Sequence, residues 1–414
     1  MISFSLPRGI IYHRLIDDFK WLAMSLFFNL NKESIVSKFE YKFANLLGRK
    51  YCLAFPFART AIYFALKAKN FPKGSEIIMP PISIKGILDV ILYLEMKPIF
   101  VDINPETLCF DEDKLQKAIS NNTKAIIITY LYGIVPNIRS IVSICKKKQL
   151  FILEDFSQCL NGTYDDKKLG TFGNVGIYSS SSIKTLDTYG GGLLIVDDDD
   201  LYLKLAGYKS SLTFCPRSFL INKIFTDFIR NLLTKKVIFT FFTFPLLKLI
   251  ACIKPESIIK QTGNRDERMI SSLPKIWFSS FTSFQAYVGL NLIDKLIKSD
   301  TLRINNVEEI KKSNYSGFPK GVKKGRNVYW QLAVFFDDTF KAQKKFQKYN
   351  IDTARTSLLQ ISNLKDYPFQ GHTPVASSLY KKVLFVPCYP SLSQSDIRRV
   401  VNCLDNIYSS SDEE

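Results

Sequence analysis

Residues 123–155 read TKAIIITYLYGIVPNIRSIVSICKKKQLFILED. Ala125–Tyr130 reads as a short strand, Ile138–Lys148 as a helix, and Leu150–Glu154 as a second short strand. Strand, helix and strand in that order predict parallel strands joined by a helical crossover. Both strands are apolar throughout, AIIIT in one and LFILE in the other. That is the pattern of a sheet covered on both faces.

The alternation extends on both sides. Before it, the pattern predicts a helix over 33–50 ended by Gly48, a strand at Leu53–Phe55 and a helix at Thr60–Lys69. A strand at Glu76–Met79, a helix at Ile84–Leu94, a strand at Lys97–Val101 and a helix at Leu115–Ile119 follow. After it come strands at Gly170–Tyr178 and Gly191–Val196, with a Ser-rich loop between them. Asp197–Asp200 reads as an exposed turn, because four adjacent carboxylates rarely converge on one ion. The fold class is therefore α/β, a large and mostly parallel sheet domain over 1–295 followed by a smaller α+β domain over 296–414. The second domain carries expected strands at Val328–Phe335 and Lys382–Val386 and helices at Phe340–Tyr349 and Gln394–Ile407.

Residues 208–270 interrupt this order as an apolar insertion. Its core, VIFTFFTFPLLKLIACI, contains Pro245 and Lys248 and falls short of the roughly 20 apolar residues that a membrane span needs. Two readings stand: a packed cap or dimer contact, and an interfacial segment lying on a bilayer.

The chain has 414 residues, 46% of them hydrophobic and 23% charged, a globular balance. Its net charge is +18, unaccompanied by a helix-turn-helix, zinc-finger or RNA-binding signature, so a nucleic-acid polymer is not the expected partner. A Lys-rich solvated surface, an anionic membrane face and phosphorylated small molecules all suit the charge. Eight scattered Cys and two His predict free thiols and no metal site. The first twenty residues lack the order of a signal peptide, so a cytoplasmic location is expected.

Chemistry concentrates in residues 150–198, LFILEDFSQCLNGTYDDKKLGTFGNVGIYSSSSIKTLDTYGGGLLIVDD. Asp155 follows an apolar strand, where open parallel sheets bind ligands. Lys184 lies in the Ser-rich loop ahead of a Gly run. Pyridoxal phosphate (PLP) needs a lysine for its Schiff base, a carboxylate on its pyridine nitrogen, and hydroxyls with a helix N-terminus for its phosphate. Lys184, Asp155, Ser179–Ser182 and the helix opening at Arg59-Thr60 supply those types. Each also has a plain reading: a helix-capping Asp, a surface Lys, a flexible Ser loop. On residue types alone PLP remains one option among several.

Six segments in order resemble the DegT/StrS-type sugar aminotransferases, whose fold is PLP-dependent transferase fold type I. They are KFEYKFANLLGRKYCLAF, EIIMPPISIKGILDVILYLEMKPIFVDINPETLCFD, TKAIIITYLYGIVPNI, LFILEDFSQ, IYSSSSIKTLDTYGGGLLIVDD and LFVPCYPSLSQSDI. The likeness covers about residues 33–205 and 283–408. It implies that Lys184 anchors PLP and moves protons, that Asp155 pairs with the ring nitrogen and that Gln158 lies near the ring's 3-hydroxyl. It also implies that Ser179, with Ala58 and Arg59 at their helix start, holds the phosphate. Ile84 stands where the family places an aromatic over the ring, Ala58-Arg59 replace Gly-Thr, and Tyr189-Gly190 replace Gly-Glu. Asn264 and Arg268-Met269 are candidates for the segment that reaches the partner subunit's cofactor, and His372 is out of place for the family's late His.

The activity so implied is transfer of an amino group, from a donor such as glutamate, to a nucleotide-linked keto-sugar. It belongs to amino-sugar or cell-surface polysaccharide biosynthesis and is carried out by a homodimer. Relatives that exchanged the lysine for His became dehydratases, and Lys184 argues against that outcome here. A dehydratase or other PLP reaction, and a non-catalytic or membrane-docked scaffold, are the rival expectations.

Overall fold

Seven apolar runs build one sheet. The computed structural model describes residues 4–253 and 267–409. In chain order the strands are β1 (Tyr51–Phe55), β2 (Glu76–Met79), β3 (Lys97–Phe100), β4 (Thr123–Thr129), β5 (Phe151–Asp155), β6 (Val175–Ser179) and β7 (Gly192–Val196). Their spatial order is β1-β7-β6-β5-β4-β2-β3. β2 to β6 run parallel, while β7 is antiparallel to both of its neighbours. β6 and β7 are joined by a loop without a helical crossover, so the chain can only return antiparallel.

Strand periodicity divides the core in two. Ile126, Ile128, Ile152 and Ile195 point to the face covered by helices Glu33–Leu47 and Ile138–Lys147. Ala125, Ile127, Leu153 and Ile177 point to the face covered by helices Ala58–Lys69 and Lys85–Tyr93. Helix Glu33–Leu47 stops where expected, at Gly48 with φ 67°.

A second core lies around the antiparallel pair β8 (Leu332–Phe335) and β9 (Val383–Val386), with helices Thr339–Lys348 and Gln394–Ser409 packed on it. Leu6 belongs to this core and bridges to Ile351, so the start of the chain packs with its end. Helix Leu296–Ile310 begins with Leu296 in the sheet core and ends with Val307 and Ile310 in the second.

Three sequence expectations shift. The Gly170–Tyr178 strand starts only at Val175, because residues 170–173 form a loop whose amides bind Glu154. The Asp197–Asp200 turn gives way to a helix, Asp199–Ser210, whose first turn Asp198 caps through the Leu201 amide. The Val328–Phe335 strand starts at Leu332, since residues 328–331 leave the ladder. The insertion is helical: Arg217–Leu233 packs beside the N-terminal helix Leu15–Ser25, with Trp21, Leu220 and Ile224 buried together. A helical run then continues through a π turn at Phe239–Thr243 into helix Phe244–Ile253. None of the described helices is long and apolar enough to cross a membrane.

Candidate active site

Adjacent carboxylates end β5 and face opposite ways, because successive side chains of a strand alternate. Glu154 turns to the first face, where it accepts from the Tyr130 hydroxyl and from the amides of Gly170, Phe172 and Gly173. Its role is to hold the 170–173 loop. Asp155 turns to the other face, at the carboxyl edge of the sheet, and accepts from the Ser157 amide at 3.0 Å. The Ser157 hydroxyl accepts from the Ser179 amide at 2.9 Å, which ties the ends of β5 and β6 together. Burial pushes the Asp155 carboxyl up; the Ser157 hydrogen bonds and the charge of Lys184 oppose that.

Lys184 is 9% exposed. Among the described residues its amine makes no hydrogen bond or salt bridge; it sits 3.8 Å from the centre of the Trp330 ring. Burial lowers its pKa to about 8, against the opposing pull of Asp155. An amine at that pKa has a far larger neutral, nucleophilic fraction near physiological pH than an ordinary lysine, though it is still mostly protonated there. The preceding residue, Ile183, has φ 68°, a left-handed conformation that a β-branched side chain resists. Two bonds hold it there: the Trp330 indole N–H donates to its carbonyl at 2.7 Å, and its own N–H donates to Asp187 at 3.3 Å.

The expected phosphate end also comes together. Ser179 pairs in register with Gly192. A Cβ on Gly192 would lie 2.3 Å from both the Ala58 nitrogen and the Phe57 carbonyl carbon, so only glycine lets the helix beginning at Ala58 rest on the strand. Ser179 and that helix start are thereby neighbours. Its hydroxyl is 3.0 Å from that of Ser181. The Arg59 guanidinium lies against the Phe57 and Trp277 rings at 5.0 and 4.6 Å, without a hydrogen bond or salt bridge among the described residues. Burial lowers its pKa to about 10.

The remaining expected positions differ in how they are engaged. The Gln158 carboxamide oxygen accepts from the Tyr132 amide at 3.0 Å, which fixes the side chain beside the site. Ile84 is the exposed N-cap residue of helix Lys85–Tyr93. Arg268 is exposed, and its carbonyl accepts from Lys85. His372 is exposed, and Asn264 lies outside the described residues.

Sequence reasoning missed the supports of the lysine loop. The N-terminal His13 bonds the Asp187 carbonyl through Nε2 and Asp18 through Nδ1, both at 2.9 Å. The Tyr189 hydroxyl and the Asn231 amide also reach Asp18, at 2.5 Å each. Ser182 donates to Asp227 at 2.5 Å, and Arg230 pairs with the same carboxylate at 3.3 Å. The N-terminus, the lysine loop and insertion helix Arg217–Leu233 therefore share one buried network. Trp330 was read only as part of a strand; no local signal marks any of these partners, because they lie far apart in sequence.

The residues present fit PLP. A nearly buried lysine without a protein hydrogen bond stands in the field of a carboxylate at a strand end, with a hydroxyl and a helix start nearby. The Thr129 hydroxyl, in register with Asp155, is buried without a hydrogen-bond partner among the described residues. A cavity of about 420 Å³ lies behind the Trp330 ring and Ile183, bounded also by Arg8, Asp352, Phe239 and Leu247.

Residues 14–211 match the model of the DegT/DnrJ/EryC1/StrS aminotransferase family. The chain is 32% identical over 179 residues to GDP-perosamine synthase of Escherichia coli O157:H7, a match spanning 43% of this chain and 49% of that protein. It is 31% identical over 209 residues to GDP-4-keto-6-deoxy-D-mannose 3-dehydratase of Yersinia pseudotuberculosis, covering 49% of this chain and 52% of the relative. The chain thus aligns with about half the length of these curated relatives. Over the whole length, the structure resembles an aminotransferase from Psychrobacter cryohalolentis, with TM-score 0.74, 18% identity and 99% of each chain covered.

Proposed function

We propose that the chain transfers an amino group to a keto-sugar; in support, residues 14–211 match the DegT/DnrJ/EryC1/StrS aminotransferase family, whose members are PLP-dependent, and the whole chain shares the fold of an aminotransferase. The observation that carries this is the nearly buried, electrostatically coupled pair of Lys184 and Asp155. A structural lysine would have a partner; this amine is held at low pKa and left for a reagent.

When bound, PLP supplies an electron sink that stabilises negative charge on the substrate carbon. Lys184 would hold it through Nζ, and the same amine would serve as the base that moves a proton. Asp155 holds a proton on the ring nitrogen. Ser179 and the amides at Ala58 and Arg59 take the phosphate, as a helix start suits an anion. Gln158 orients the ring edge, and Ile84 stands at the mouth without stacking. The ring of Trp330 packs against the Lys184 amine and limits where it can swing. The amino donor is glutamate or a similar amino acid, the acceptor is nucleotide-linked, and the working unit is a homodimer.

The test is product analysis. Protein supplied with PLP, glutamate and a nucleotide-linked 4-keto-sugar should yield the amino sugar and 2-oxoglutarate, and Lys184→Ala should yield neither. A product that has lost a hydroxyl as water instead of gaining nitrogen would assign the dehydratase reaction named for the Yersinia relative. No bound cofactor at all would favour a non-catalytic scaffold.

A further inference from the structure

The insertion has two faces. On its inner side Phe239 and Phe244 are buried and stack at 5.5 Å, fixing the helical run to the body of the protein. On its outer side helix Phe244–Ile253 presents Leu246, Leu249 and Ile253, exposed by 57, 58 and 70%, while the half-exposed Ile250 turns toward the cavity with Leu247. Their spacing, i, i+3 and i+7, sets the three on one face. Phe241 and Phe242, on the turn before, are exposed too. A helix normally buries such a stripe; here it looks outward.

The charge around it is one-sided. Residues 212–253 hold six basic residues, Arg217, Lys223, Arg230, Lys235, Lys236 and Lys248, and one carboxylate, Asp227. Asp227 is buried against Ser182 and Arg230. The surface is therefore apolar and basic, with no exposed acid of its own.

We propose that this insertion seats the protein on an anionic bilayer surface, the outer stripe lying among the headgroups with the lysines around it. None of the described helices is long and apolar enough to cross a bilayer, and Pro245 and Lys248 interrupt the apolar run, so the segment lies along the surface. A second copy meeting this same face is the poorer occupant, because residues 212–253 would set six basic residues against six more with no exposed acid of the segment between them. The inner side of the same helical run, through Phe239 and Leu247, lines the cavity beside the lysine loop. Docking would thus bring the bilayer close to the wall of that cavity. The proposal is independent of which reaction the site performs.

The experiment is co-sedimentation of the full chain with vesicles of phosphatidylcholine alone and with phosphatidylglycerol added, at low and high salt. The expected result is binding to the phosphatidylglycerol vesicles only, weakened by salt. Leu246→Asp/Leu249→Asp should reduce it by roughly tenfold or more, as charges on the buried face of an interfacial helix would. A milder variant, Phe242→Ser, keeps the test informative if the double variant misfolds; circular dichroism and thermal melting report on folding for both. Failure of the wild-type chain to bind either vesicle overturns the proposal, as does undiminished binding by a folded variant. Light scattering that shows the wild type self-associating through this stripe, with no vesicle binding, would assign the face to a second copy instead.

Discussion

Lys184 and Asp155 oppose one another's tendencies. Burial drives the amine toward neutrality and Asp155 draws it back toward charge, leaving its pKa at about 8. Removing the carboxylate removes the second influence. Asp155→Asn should therefore lower the lysine pKa further, as well as depriving the ring nitrogen of its partner. The measurement is the rate at which cofactor-free protein takes up PLP, followed by absorbance across pH. The wild type should accelerate as pH rises through about 8, and Asp155→Asn should do so at lower pH while losing about a hundredfold or more in turnover. Coincident pH profiles would show that the two groups do not interact. Gly192 allows a second test on a single atom. An added methyl would meet the Ala58 nitrogen and the Phe57 carbonyl carbon at 2.3 Å, both of them backbone, so the helix start must move away from Ser179. Gly192→Ala is expected to weaken PLP binding at least tenfold, about 1.4 kcal/mol, read by equilibrium titration in the visible band. Unchanged affinity would remove Ala58 and Arg59 from the phosphate site.

The lysine loop depends on elements from three parts of the chain. The Asp187 carbonyl and the Asp18 carboxylate can both accept only if both His13 nitrogens donate, which requires an imidazolium. Burial alone would lower the His13 pKa; Asp187 and Asp18 outweigh it and hold it at about 9. A histidine raised above its ordinary 6.5 stabilises the fold fully below that pH and loses the contribution as pH rises through about 9. His13→Gln should therefore cost on the order of 3 kcal/mol near pH 6, by leaving buried carboxylates unpaired, and much less above pH 9. Thermal unfolding of both proteins across that range decides it, and a pH-independent difference would deny the charge. This network also marks where sequence reading stops. The strands β1 to β7 were legible because apolar runs and helical crossovers are local patterns, and Asp155 and Lys184 because their segments resemble a family. His13, Asp187 and Asn231 were not, since each is an ordinary polar residue until folding brings it to partners 174 to 218 positions away. The insertion was legible as apolar but not as a support of the lysine loop, because among the described residues only Asp227 and Asn231 carry its hydrogen bonds to that network, and neither stands out in the sequence.

The two cores are joined where helix Leu296–Ile310 passes from one to the other. Arg303 on that helix is fully buried, pairs with Asp300 one turn earlier and donates to the Tyr12 hydroxyl at 2.8 Å. Asp300 in turn accepts from Asn161, just beyond β5 and Gln158, at 2.6 Å. One ion pair thus connects the N-terminal segment, the region after the site-bearing strand and the helix leading into the second core. Breaking it should be costly for an electrostatic reason distinct from packing: Arg303→Met leaves the Asp300 carboxylate buried with only Asn161 to satisfy it, a loss of about 3–5 kcal/mol. Removing both charges, as Arg303→Met/Asp300→Leu, eliminates the stranded carboxylate and should recover most of that loss, because the pair's attraction largely offsets its own desolvation. Urea unfolding of the two variants separates the explanations. If the double variant is as unstable as the single, the helix is held by the shape of these side chains and their bonds to Tyr12 and Asn161. If it recovers, the charges serve to fix the alignment of the two cores, and PLP affinity in the recovered protein then reports whether the site depends on that alignment.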